Sequence, residues 1–282
     1  MLDIQSLTHK DIDTALRLST QAGWNQIRGD WQRLINLWPD TCFAGWQGGQ
    51  LIATGTVAQY ERSIGWAGMI LVDKDHRGRG VGKQMLENVV AAADERGFTQ
   101  LGLDSTGLGR PLYQRQGFKE QSAITRWTGL PGDVVHDAIA GSVLQDDWPD
   151  IFNLDRAVVG VDRGALLQQL AGESGSIARL VKDGDRLMAF GFARRGREAS
   201  AIGPVVGQSL RHAQLVFIKL LGDCPADVPI LVDVLEQSPL TSLLPRYGFT
   251  RQRRLTRMVR PDASRLILAS KKSFVAAGLE LG

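Results

Sequence analysis

Cysteine is nearly absent: the 282-residue chain has two, Cys42 and Cys224, far apart in sequence. That excludes a disulfide framework. The four histidines, His9, His76, His136 and His212, form no i, i+4 pair, and no Cys/His spacing suits a metal. No metal site is expected. Apolar runs are short, none near the ~18 residues that cross a bilayer. The N-terminal MLDIQSLTHKDID carries acids and no apolar segment, unlike a signal peptide. These absences predict a cytoplasmic protein without a membrane partner. Excess charge is also small, at +3. With no long basic block, no nucleic-acid partner is expected. The arginine-rich RQRRLTRMVR at 251–260 reads as a solvated strand face.

What remains is ordinary globular composition, 43% hydrophobic and 22% charged. The length suits one large domain or two of about 140 residues. Residues 10–22 space their apolar groups as an amphipathic helix does. Asp30 precedes a second short helix in WQRLINL. The period then changes. TCFAGWQ (41–47), QLIATGTVAQY (50–60) and SIGWAGMILVD (63–73) are β-rich runs joined by Gly48-Gly49 and Glu61-Arg62, which predicts an antiparallel meander. Val81, Met85, Leu86, Val89, Val90 and Ala93 then share one helical stripe, with Gly97 as the C-cap. FTQLGLDST (98–106) reads as a strand, GRPLYQRQGF (109–118) as a short helix and SAITRWTGL (122–130) as a strand. PGDVV marks a linker, with a boundary near 131–140.

The second half repeats this order in weakened form. Strands joined by tight turns fill 179–206, followed by the helical RHAQLVFIKLLG, the strand VPILVDVL and PLTSLLPRYGF. Aligning Val72 with Val206 sets Arg211 opposite Arg77. The Gly-Phe pairs then fall 45 residues after Val72 and 42 after Val206, which points to duplication.

Between the third strand and the long helix lies HRGRGVGKQML (76–86). A P-loop needs Gly six residues before its Lys and Ser or Thr after it; Arg77 and Gln84 stand there. A dinucleotide fingerprint also fails, because Lys83 or Met85 occupies its last glycine position. The pattern that fits is Arg-x-x-Gly-x-Gly, in Arg77-Gly78-Arg79-Gly80-Val81-Gly82. Glycines let backbone amides at a helix N-terminus approach an anion closely, and Arg77, Arg79 and Lys83 add positive charge.

LVDKDHRGRGVGKQML resembles the acetyl-CoA-binding motif of the GNAT N-acetyltransferases, and LYQRQGF resembles that family's later motif. The second half is similar to the degenerate repeat of bacterial YitH-like tandem GNAT proteins. The resemblance implies an α/β (α+β) chain of two tandem GNAT folds, each a mixed, mostly antiparallel central sheet flanked by helices. A catalytic domain would span 1–132 and a degenerate domain, structural or shaping the acceptor site, 133–282. Acetyl-CoA would be the co-substrate, with no metal, and the protein a monomer or homodimer. The implied reaction is acetyl transfer to a primary amine, with a small molecule as acceptor, by direct attack in a ternary complex. A non-catalytic acetyl-CoA sensor is the alternative.

The resemblance also implies residue roles. Arg77, Gly78, Arg79, Gly80, Val81, Gly82 and Lys83 would hold the pyrophosphate, while the backbone of Ile70, Leu71 and Val72 would pair with the pantetheine arm. Gly68 would permit a bulge that aims an amide at the thioester oxygen. Tyr113 would serve the departing thiolate. Asp104 is the first candidate base, with Glu61 and Tyr60 as alternatives. The family's frequent asparagine, seven residues before the tyrosine, is Thr106 here. Trp24, Trp31, Trp38 and Trp66 are candidates to line an acceptor pocket or to pack the core. In the repeat, His212, Gln214 and Val216 stand opposite the three glycines and Leu244 opposite Tyr113, so one active site is expected.

Overall fold

The three β-rich runs between 41 and 73 form the predicted meander. The computed structural model describes residues 2–61, 63–130, 139–261, 268 and 270–282. Arg62 and most of the expected linker, residues 131–138, lie outside the described residues. The chain forms two compact units. One is Met1–Glu120 with Met258–Ala263 and Leu281; the other is Gln121–Arg257 with Ser264–Glu280 and Gly282. The division at Glu120 comes ahead of the expected 132/133 boundary.

In the first unit the order is β1 (Asp3–Ser6), α1 (Ile12–Gln21), α2 (Arg28–Leu37), β2 (Cys42–Gln47), β3 (Gln50–Tyr60), β4 (Ile64–Val72), α3 (Val81–Glu95), β5 (Gln100–Ser105) and α4 (Arg110–Arg115). The strands lie in the order β1-β2-β3-β4-β5. All neighbours are antiparallel except β4 and β5. Both Gly48 and Gly49 have positive φ, 58° and 76°, which a tight two-residue hairpin demands. Leu51 to Ala58 are buried in succession, so both faces of β3 are covered: α1, α2 and α3 all pack on it. The α3 stripe Val81, Met85, Leu86, Val89, Val90 and Ala93 is buried as expected, each large side chain contributing roughly 1.5–3 kcal/mol. A Cβ on Gly55 would stand 2.9 Å from Val89 Cγ2, so that glycine is what lets α3 settle on β3. The second helix starts earlier than expected. Asp30 lies inside its first turn and accepts the Ile27 N–H at 2.8 Å, so it caps from within.

After β6 (Lys119–Gly129), which straddles the division, the second unit continues with β7 (Gly141–Ser142), α5 (Trp148–Val159), α6 (Gly164–Gly172), β8 (Ile177–Asp183), β9 (Arg186–Arg194), β10 (Ser200–Gly207), α7 (Leu210–Asp223), β11 (Ile230–Leu235), β12 (Thr250–Arg260) and β13 (Ser273–Val275). Its strands run β12-β6-β11-β10-β9-β8-β7, with β13 on β10. β10 and β11 run parallel, while β10 with β9 and with β13, β11 with β6, β8 with β9 and β7 with β8 run antiparallel. Each unit is thus a mixed, mostly antiparallel sheet flanked by helices. The arginines of β12 divide: Arg251 and Arg254 are exposed, as a solvated face requires, and Arg257 is not. Arg257 is fully buried and donates to the Leu268 carbonyl at 2.8 Å, Arg254 pairs with Glu236 at 2.5 Å, and Arg251 lies 5.1 Å over the Trp127 ring. Among the described residues no helix is long and apolar enough to cross a membrane.

Candidate functional site

The site begins where two strands part. β4 and β5 pair in parallel only over Ile64–Trp66 and Gln100–Gly102. The remaining half of β4 keeps β3 on one side, and no other described strand pairs with it on the other. A bulge interrupts this half. Gly68 stays in register with Thr56 and Leu71 with Thr54, so Met69 and Ile70 together face Gly55. The bulge lies next to Gly68, but the left-handed residue is Met69, at φ 50°. Buried Thr54 and Thr56 secure it, donating their hydroxyls to the Met69 and Gly68 carbonyls at 2.8 and 3.2 Å.

One inserted residue inverts the strand's phase. Beyond it the Asp73 N–H donates to the Ile52 carbonyl at 2.7 Å. By alternation Leu71 directs its backbone groups to β3, while those of Ile70 and Val72 face the gap that β5 has left. Arg77 confirms that side, its Nε donating to the Val72 carbonyl at 3.1 Å.

The loop after β4 ends in the N-terminus of α3. Gly78 and Gly80 both have left-handed backbones, φ 74° and 79°, and a Cβ at either would meet no atom within 4 Å. The first α3 bond runs from the Gln84 N–H to the Gly80 carbonyl, and no side chain caps the helix. The amides of Val81, Gly82 and Lys83 therefore have no helical partner, and the positive end of the helix dipole lies with them. Gly82 clears Val72 Cγ2 by an ordinary contact, 3.4 Å from an ideal Cβ. Arg79 is exposed and makes no hydrogen bond or ion pair with any described residue. Lys83 is exposed and 3.6 Å from Glu87. This cradle fits a pyrophosphate in shape and sign.

Asp73, which sequence reasoning passed over, fixes the loop. It is 3% exposed, accepts the Asp75 N–H at 3.0 Å and pairs with Arg17 of α1 at 2.5 Å. Burial works to raise its carboxyl, but the Arg17 hydrogen bond, the Asp75 amide and the Arg17 charge bring it down to about 2. A local signal existed: Asp two residues before another residue's free amide, at the end of a strand, is an Asx turn.

Tyr113 of α4 lies at the far end of β5. A Cβ on Gly109 would fall 2.8 Å from its ring and 3.5 Å from Ser105 Oγ, so Gly109 is the residue that makes room for it. The ring meets Phe118 edge-on at 6.0 Å. The hydroxyl has no hydrogen-bond partner among the described residues, and burial pushes it up to about 12. Thr106 accepts the Gly109 N–H on Oγ1 at 3.4 Å and on its carbonyl at 3.1 Å, holding the turn into α4.

Asp104 is half-buried, beyond the last β4–β5 pair. By alternation it shares a face of β5 with Gly102, against which the Trp66 ring lies, while Leu101 and Leu103 turn to the α3 core. Tyr60 is 2% exposed and its hydroxyl donates to the Leu281 carbonyl at 2.5 Å, which ties it down as a structural group. Of the tryptophans, Trp31 and Trp66 are core, at 0% and 2% exposure. Trp38 is half-buried and donates to the Gln59 carbonyl at 2.8 Å; Trp24 is half-buried. Burial pushes the Cys42 thiol up to about 12 and that of Cys224 to about 11, so neither is a thiolate nucleophile at neutral pH. No group of three or more metal-ligating residues occurs among the described residues.

The second unit repeats the frame and omits the cradle. Gly248 at φ 79° and the Phe249 N–H to Leu244 carbonyl bond, 3.1 Å, reproduce Gly117 at 82° and the Phe118 to Tyr113 bond, 3.2 Å. Leu244 thus does stand in the tyrosine's place. The alignment of the glycines fails, however. Residues 73–80 separate β4 from α3, but only Gln208 and Ser209 separate β10 from α7. Arg211, His212, Gln214 and Val216 all lie inside α7, and the loop itself is missing. The helix N-terminus is capped by the chain: Ser209 Oγ accepts the His212 N–H at 3.4 Å and contacts His212 Nδ1 at 2.9 Å.

Profiles of the acetyltransferase (GNAT) domain match the chain twice, over residues 38–120 and 151–268. The chain is 27% identical over 236 residues to the uncharacterized N-acetyltransferase YitH of Bacillus subtilis, covering 80% of this chain and 82% of that protein. It is 23% identical over 212 residues to holothin acyltransferase of a Pseudoalteromonas strain, covering 74% and 71%. A solved protein from Pyrococcus horikoshii, provisionally described as an acetyltransferase, superposes with TM-score 0.85 at 17% identity, over 100% of this chain and 96% of that one. The tandem GNAT protein from the clavulanic acid biosynthesis pathway gives 0.66 at 14%, over 94% and 100%. At these identities the structural likeness bears on fold alone.

Proposed function

The chain belongs to the GNAT acetyltransferase family as a tandem protein and is an acetyl-transferring enzyme, and from that premise we propose that its first unit moves the acetyl group of acetyl-CoA onto the primary amine of a small molecule. Attack is direct, within a ternary complex. The observation that carries this reading is the parting of β4 from β5 beside a loop with bare amides. Val81, Gly82 and Lys83 amides, with Arg77 and Arg79, hold the pyrophosphate. The gap-facing backbone of Ile70 and Val72 takes the pantetheine amides as a neighbouring strand would. The buried thiols of Cys42 and Cys224 support a route with no cysteine intermediate. The Pseudoalteromonas relative is named for holothin, which favours a small-molecule acceptor.

The chemistry follows from charge. A neutral amine attacks the thioester carbon, and negative charge grows on the carbonyl oxygen. The Ile70 N–H, fixed by the bulge, is the donor aimed there. Asp104 takes the proton the amine loses, directly or through water. The C–S bond then breaks and the thiolate departs. Tyr113, held near 12, is a poor proton donor to a thiolate whose own pKa is about 8.5, so its part is to hydrogen-bond the sulfur as charge forms.

A panel of amines with purified protein, following release of free CoA, tests the proposal. Tyr113→Phe keeps the ring and removes only that bond. With the best acceptor its kcat should fall roughly 10- to 100-fold, the worth of a hydrogen bond to a charged group, while acetyl-CoA affinity stays. The wild-type rate should show no alkaline fall from tyrosine ionisation near pH 10, because the hydroxyl stays protonated to about 12. Full activity of the variant removes Tyr113 from the mechanism. No turnover on any amine removes the acceptor class.

A further inference from the structure

We infer that the second unit keeps its cofactor gap as a strand-binding groove, and that its ligand is the chain's own extended segment around β13. β10 and β11 repeat the geometry of β4 and β5. They pair in parallel over Ser200–Ile202 and Ile230–Val232 only, and the register of β10 on β9 then shifts between Ile202 and Val205, where the first unit has its bulge. In the first unit no described strand enters the gap beyond. In the second, β13 does. Val205 and Val206 pair antiparallel with Val275 and Ser273.

The segment bonds to both arms. On the β10 side the Gly207 N–H donates to the Lys272 carbonyl at 3.1 Å; on the β11 side the Ala276 N–H donates to the Asp233 carbonyl at 2.9 Å. Ser238 Oγ donates to the Phe274 carbonyl at 3.2 Å, and Arg194 donates to the Ala277 carbonyl at 2.6 Å. Phe274 is 2% exposed and Val275 0%, both within the α7 core cluster. A parted pair of strands leaves backbone N–H and C=O groups without partners, and burying them bare is costly. The first unit's gap suits an amide-bearing arm from outside. The second's groups are satisfied by an apolar peptide, Ser-Phe-Val-Ala-Ala, that the chain supplies itself. The site therefore selects an extended peptide by main-chain bonding with a pocket for one aromatic side chain, which is strand addition.

The test is complementation. A chain ending at Ser270 is mixed with a synthetic peptide of residues 271–282. We expect saturable binding of one peptide, recovery of the full chain's thermal midpoint, and binding weaker by roughly tenfold or more for a peptide carrying Phe274→Asp, since a carboxylate would enter an apolar pocket. A folded short chain with an unchanged midpoint and no affinity for the peptide overturns the groove. If the short chain does not fold, hydrogen exchange on the full chain decides. Phe274→Asp should speed exchange of the Gly207 and Ala276 amides by roughly tenfold or more, with acetyl-CoA binding by the first unit retained; unaltered exchange at those amides overturns the proposal. Neither measurement depends on the acceptor or on turnover.

Discussion

At Gly80 the two demands on one residue can be separated. Its φ of 79° disfavours any side chain, but an ideal Cβ there meets nothing within 4 Å. Gly80→Asp should therefore cost the fold only about 1–2 kcal/mol of left-handed strain. Aspartate is among the residues best suited to that region, and its charge favours the N-terminus of α3. The same carboxylate would stand where a phosphate must lie. Calorimetric titration should show acetyl-CoA binding lost in a variant whose circular dichroism is native. A folded variant with unchanged affinity would place the cofactor elsewhere. The glycines were legible because their spacing is a chemical pattern. Met69 was not: nothing about a methionine in a hydrophobic run announces a left-handed backbone, which arises from the two-to-one register of β4 on β3. Nor does a tyrosine's position disclose a hydroxyl pushed up to about 12, since that follows from burial.

Elements with a long apolar period read cleanly, α3 above all, and so did the meander of β2, β3 and β4. Edge strand β1, with sequence DIQS, has no alternation to read; it is a strand because β2 offers it a register. The helices α5 and α6 were passed over, although Gly160 at φ 87° closes α5 with an ordinary C-cap signal. The loop of the repeat is not legible, because an alignment on Val72 and Val206 holds only for loops of equal length and α7 starts two residues after β10 ends. Asp73 shows how elements hold the cradle. It joins α1 to the loop through Arg17, and its carboxyl is depressed to about 2. A depressed carboxyl stabilises the fold above its unfolded value, about 3.9, and that stability is lost as pH falls through the folded value. Asp73→Asn should lower stability at pH 7 by roughly 1–3 kcal/mol. In thermal melts the gap between variant and wild type should narrow from pH 4 downward and close near pH 2. A gap of constant size over that range would mean that the Arg17 pair contributes nothing through its charge.

For the whole molecule, the order of strand, helix, strand, short helix and Gly-Phe made duplication legible, and the structure adds how the copies differ. An acetyl-CoA site of this kind needs three things: a gap with free backbone groups, a loop with bare amides, and a group for the thiolate. In the proposed reading the first unit supplies all three: the gap beside β4, the loop before α3 and Tyr113. In the second the gap holds β13, residues 208–209 replace a whole loop, Ser209 covers the helix N-terminus, and Leu244 replaces the tyrosine. Any one change would weaken binding, and together they remove each class of contact independently. Isothermal titration should therefore give one acetyl-CoA per chain. Gly80→Asp should bring that count to zero, because no second cradle remains to take the ligand. A second equivalent that survives Gly80→Asp would mean that the second unit binds through groups outside its parted strands, and that its repeat had acquired a new site instead of closing the old one.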